Sequence, residues 1–94
     1  MSGPISLIVP ADRRYRVLAP ELAEKYAELA GGTAADGPAL AASVAAAMDQ
    51  LCPETDAGFH IDLMFRPDAN GLTIEIHCEG RRTTVRHLLS AEKR

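Results

Sequence analysis

Phe59-His60-Ile61-Asp62-Leu63-Met64-Phe65-Arg66 and Leu72-Thr73-Ile74-Glu75-Ile76-His77-Cys78-Glu79, joined by Pro67-Asp68-Ala69-Asn70-Gly71, decide how this chain folds. In the first stretch Phe59, Ile61, Leu63 and Phe65 alternate with His60, Asp62, Met64 and Arg66. In the second, Leu72, Ile74, Ile76 and Cys78 alternate with Thr73, Glu75, His77 and Glu79. Alternation with a period of two on both sides of an Asn-Gly turn signal specifies a half-buried antiparallel hairpin. With Arg66 opposite Thr73, Asp62 faces His77, Met64 faces Glu75 and His60 faces Glu79, a register that sets opposite charges across from each other. The other register, His60 against His77, opposes Asp62 to Glu75, two like charges.

Working outward from the hairpin, the chain before it reads as helical. Residues 36–51 open on Asp36-Gly37-Pro38, a helix start with proline in the first turn. Leu40, Val44, Ala47, Met48 and Leu51 then recur at core-facing spacing, and the six alanines of the segment favour helix and close packing. Pro53 stops this helix. Residues 12–30 place Tyr15, Leu18, Ala19, Leu22, Tyr26, Leu29 and Ala30 on one stripe, with Asp12 as N-cap and Gly31-Gly32 as the terminator. Glu21 and Lys25 stand four apart in the favourable order. Pro20 removes a helical hydrogen bond, and because the stripe keeps its phase on both sides the expectation is a kink. Ile5-Ser6-Leu7-Ile8-Val9, ending at Pro10, is a short strand that must pair with one edge of the hairpin. Beyond Gly80, Val85, Leu88 and Leu89 have helical spacing behind Thr83 as cap, so residues 83–93 read as a short terminal helix. The expected fold is an α+β two-layer sandwich, strand-helix-helix-strand-strand with a short C-terminal helix and a small, mainly antiparallel sheet of three strands.

Composition narrows the function classes. Ninety-four residues make one domain with a small core, for which a partner or a second copy adds stability. A net charge of −3 argues against a general nucleic-acid binder, which is normally basic. The arginines at 13, 14 and 16, and those at 81, 82 and 86, read as solvated faces. No stretch approaches the ~18 continuous apolar residues of a membrane span, and residues 5–9 are too short for a secretory signal core. Two cysteines, Cys52 and Cys78, make no disulfide framework. The expectation is a cytoplasmic protein with reduced thiols.

Several constellations invite chemistry. His60, Asp62, His77 and Glu79 share the polar face of the hairpin; they are the residue types of a metal site, but cross-strand pairing on a solvated or docking face accounts for them. Cys78 and His77 are neighbours on a strand, point to opposite faces and cannot act as nucleophile and base. Tyr15 and Tyr26 read as core or core-edge residues. Leu88-Leu89, with Arg86 and Lys93, reads as a helix capping the core.

The element order resembles the N-terminal two-thirds of the anti-sigma-factor serine kinases of bacterial partner switching, members of the ATPase superfamily shared with histidine kinases, gyrase and heat-shock protein 90. The features that carry it are Ile5-Ser6-Leu7-Ile8-Val9-Pro10-Ala11-Asp12 opening a long helix, the alanine-rich helix of residues 40–51, and the hairpin ending in Glu79-Gly80. The likeness spans residues 5–80 and implies a histidine-kinase-like ATPase domain over residues 1–94, ending where the ATP lid begins. It also implies lost chemistry. The family's catalytic Glu falls on Ala46, which cannot act as a base. Its Mg²⁺-binding Asn falls on Gln50, beside the single carboxylate of Asp49. Its adenine-reading Asp falls on Cys78, a poor acceptor for an amine; the first following glycine is kept as Gly80 and the second is Arg82. Phosphoryl transfer is mostly positioning and charge neutralisation, and the parts that do both are replaced.

The expectation is therefore no enzyme and no cofactor: a regulatory protein-interaction module. The resemblance implies a sigma factor or an anti-anti-sigma-like protein as partner, or a homodimer, with no nucleic acid and no membrane. By the same analogy Arg13, Arg14, Arg16 and Glu21 are the candidate partner-binding residues. The alternatives are a surviving nucleotide-binding weak serine kinase and a small metal- or ligand-binding α+β domain using His60 and His77.

Overall fold

The structure, a computed structural model, describes residues 4–52, 58–67, 69 and 71–89. Seven elements follow in order: β1 (Ile5–Pro10), α1 (Arg13–Arg16), α2 (Leu18–Leu29), α3 (Asp36–Leu51), β2 (His60–Pro67), β3 (Gly71–Cys78) and β4 (Arg81–Leu88). The four strands form one antiparallel sheet in the order β1-β2-β3-β4. Helices α2 and α3 pack on each other and on one face of it, giving the α+β sandwich with the strand-helix-helix-strand order that the alternation implies.

The core lies between the layers. Val9, Ile61, Leu63, Phe65, Leu72, Ile74, Ile76 and Cys78 point inward from the sheet, and Ala19, Ala23, Tyr26, Ala27, Leu40, Val44 and Met48 meet them from the helices. Small residues on α2 let that helix approach closely, and the Tyr26 ring stands edge-on to Phe65 with centroids 5.6 Å apart. The hairpin has the charge-paired register: Arg66 faces Thr73, Asp62 faces His77 and Met64 faces Glu75. The first strand joins the β2 edge, with Leu7 opposite Leu63 and Val9 opposite Ile61.

Local signals account for the helix ends. The Asp12 side chain caps α1 by accepting from the Arg14 N–H at 2.9 Å. After α2, the Gly32 N–H bonds the Ala27 carbonyl and the Gly31 N–H the Glu28 carbonyl, a Schellman ending.

Two expectations are corrected. The stretch after Gly80 is not a helix: it is β4, so the sheet has four strands. Glu79 and Gly80, at φ 51° and 82°, form a two-residue turn that closes a second hairpin with Cys78 opposite Arg81. Thr83, Val85, His87 and Leu89 then lie towards the helices, while Arg82, Thr84, Arg86 and Leu88 are exposed. The β-branched Thr83, Thr84 and Val85 suit this alternation better than the helical spacing of Val85, Leu88 and Leu89. The second correction concerns Pro20. The first helix breaks at Val17 into α1 and α2 rather than kinking, which places Pro20 in the first turn of α2, where a missing N–H costs little. The break rotates the stripe: Tyr15, Leu18 and Leu29, assigned to the core, are exposed, and Ala23 and Ala27 are buried instead. Pro53 as a helix stop, Asp68 and Asn70 of the first turn, and the end of the tail lie outside the described residues.

Candidate protein-binding surface

The break at Val17 builds a corner. Asp12 starts α1, and its carboxylate also takes the Arg14 guanidinium, Nη2 to Oδ2 at 2.9 Å. That hydrogen bond holds the Asp12 carboxyl below its usual range. Arg14 continues over the Tyr15 ring, 5.5 Å from its centroid. Arg16 points the other way. It is buried, and its Nη2 donates to the Met48 carbonyl at 3.0 Å and to Asp49 Oδ1 at 3.4 Å. It thus ties α1 to the last turn of α3, where a cation complements the exposed carbonyls.

That tie leaves an apolar depression of about 220 Å³ between the helices, lined by Arg16, Val17, Pro20, Ala45, Met48 and Asp49. Val17 is 49% exposed, and Tyr15 and Leu18 nearly as much. Arg13 and Glu21 are also exposed. The structure therefore brings the predicted quartet to one corner but divides it: Arg13, Arg14 and Glu21 are at the surface, and Arg16 is an internal strut. Residue reading missed Val17, Leu18 and Pro20 as surface groups. Proline three residues into a resumed helix, directly after two large apolar residues, is the signal that the stripe had changed phase.

The bare face of the sheet is the second feature. One row across the strands runs Ile8, Asp62, His77, Arg82; the next runs Ser6, Met64, Glu75, Thr84. Arg66 pairs with Glu75, and His77 Nε2 lies 3.9 Å from Glu75 Oε1. A shallow depression of about 280 Å³ is lined by Ser6, Ile8, Asp62, Met64, Glu75 and His77. Among the described residues no three His, Cys, Asp or Glu side chains gather as a metal ion requires. His60 and His77 are both exposed, with His77 opposite Asp62 and His60 opposite Pro10.

The four positions that the resemblance assigns to a nucleotide site lie apart in exposure and facing. Ala46 and Gln50 are exposed on α3, Cys78 is buried inside the sandwich, and Arg82 is on the opposite face of the sheet. Neither depression is lined by any of the four.

Searches against protein families, curated proteins and solved structures match nothing to this chain. No helix among the described residues is long and apolar enough to cross a membrane.

Proposed function

We propose that this chain is a non-catalytic, cytoplasmic protein-interaction module, akin to an anti-sigma factor that has lost its ATP site, and that it docks a regulatory protein at the α1–α2 corner. The observation that carries this reading is the apolar depression at that corner, lined by Arg16, Val17, Pro20, Ala45, Met48 and Asp49, with Leu18, Arg13, Arg14 and Glu21 exposed elsewhere on the same two helices. Contiguous exposed apolar surface rimmed by charge is the usual mark of a protein-binding site. The lost chemistry at Ala46 and Cys78 supports the absence of catalysis. The partner class proposed is a sigma factor or an anti-anti-sigma-like protein.

The test is capture of partners by tagged protein from native extract, followed by affinity measurement with Val17→Asp, and with Arg13→Glu and Arg14→Glu together. The expected result is recovery of a sigma factor or an anti-anti-sigma-like protein, with affinity lowered at least ~10-fold in both variants, as for loss of an interface centre, and unchanged circular dichroism. Recovery of the chain alone, or affinities indifferent to both changes, overturns the docking surface. Micromolar Mg-ATP binding in calorimetry overturns the non-nucleotide reading.

A further inference from the structure

Cys52 follows the last residue of α3, its N–H bonded to the Met48 carbonyl at 2.8 Å. Cys78 ends β3 on the inward side, just before the Glu79-Gly80 turn. The two come from opposite layers of the sandwich and join the same buried core cluster, Cys52 wholly buried and Cys78 nearly so, with the Cys52 thiol close enough to raise the pKa of the Cys78 thiol. They are the only cysteines in the chain.

We propose that Cys52 and Cys78 are an oxidisable pair that closes to an intramolecular disulfide with a peroxide as oxidant, stapling the end of α3 to the end of β3. This inference stands apart from the docking surface. One thiol, as its thiolate, attacks a peroxide oxygen; the O–O bond breaks, one water leaves after protonation, and a sulfenic acid remains. The second thiol attacks that sulfur and displaces the hydroxyl as a second water. Two electrons and two thiol protons pass to hydrogen peroxide, and one S–S bond forms. Closure brings the two sulfurs to about 2.05 Å.

The same surroundings set the rate. Burial and the nearby Cys52 thiol push the Cys78 thiol up to about 12, so at neutral pH the closed core holds a thiol rather than the reactive thiolate. Oxidation therefore waits on local opening at the end of α3. Once formed, the bond closes a loop of about two dozen residues and restricts the unfolded chain.

The experiment exposes the folded protein to hydrogen peroxide, blocks remaining thiols, and maps peptides by mass spectrometry without reductant, alongside thermal melts. The expected product is a monomer lighter by two hydrogens, with the Cys52 and Cys78 peptides linked. Its Tm is expected to rise by about 5–15 °C and to return on thiol treatment. Cys52→Ala and Cys78→Ala each are expected to lose the rise; if either variant fails to fold, the wild-type peptide map alone decides. Interchain disulfides, separate sulfinic or sulfonic products, or free thiols in the folded protein under conditions that oxidise the urea-unfolded chain each overturn the pairing.

Discussion

Gly71 shows how one residue can be recognised correctly for an incorrect reason. Next to Asn70 it reads as a turn glycine, needed for a left-handed backbone. Its φ is not among the positive ones; it is the first residue of β3, buried opposite Leu88. A Cβ there would lie 2.2 Å from the His87 carbonyl oxygen and 3.0 Å from the Leu88 Cα. The obstacle is backbone, which cannot rotate aside. Gly71→Ala is expected to destabilise by about 1–3 kcal/mol, the range for overpacking a dense interior. A urea midpoint equal to wild type would show that β4 is not held so close. The turn glycine proper is Gly80, preceded by Glu79 in a conformation that L residues rarely adopt.

At the scale of elements, β4 is fastened to the helical layer by a part-buried polar contact besides the packing of Val85 and Leu89 against the core. His87 Nε2 donates to Asp36 Oδ1 at 2.9 Å, and Asp36 Oδ2 accepts from the Thr33 N–H at 2.8 Å and its hydroxyl at 3.3 Å. Asp36 is only 3% exposed. His87→Ala removes one of its partners and is expected to cost about 1–3 kcal/mol, read from denaturant melts, with β4 amide protons exchanging faster than those of β3. Uniform exchange across both strands would mean that backbone pairing alone secures β4. The strand itself was hidden from sequence reading, because Val85, Leu88 and Leu89 fit a helix period as well as the tail fits a strand. The β-branched run Thr83-Thr84-Val85 leans to the strand, and the distant partner Asp36 and the pairing of His87 with Leu72 secure it. The first hairpin, α3 and its inward residues were legible, since each is specified within its own stretch. The corner at Val17 was not, because Pro20 permits both a kink and a break, and tertiary packing of Ala23 and Ala27 chose the break.

Across the whole molecule, function was less legible than fold. The family resemblance pointed to Arg13, Arg14, Arg16 and Glu21 as a group, but burial divides them, since the guanidinium of Arg16 satisfies the Met48 carbonyl 32 residues away. The thiol pair was invisible for the same reason: sequence spacing carries no hint that Cys52 and Cys78 meet. Long separations also set the order in which the molecule assembles. Strands β2, β3 and β4 are joined by turns of a few residues, whereas β1 meets β2 only after both helices have intervened, with Ile5 opposite Phe65. Closing that long loop is entropically costly before any contact rewards it, so the three-stranded meander is expected to nucleate folding and β1 to dock late. Val9→Ala is therefore expected to accelerate unfolding and to leave the refolding rate within about two-fold of wild type in stopped-flow chevrons; a matching slowdown in refolding would put β1 in the nucleus. A strand that arrives last also leaves first, and its departure bares the β2 edge while the rest of the sheet stands, so the species most prone to pair with another chain is a nearly complete molecule.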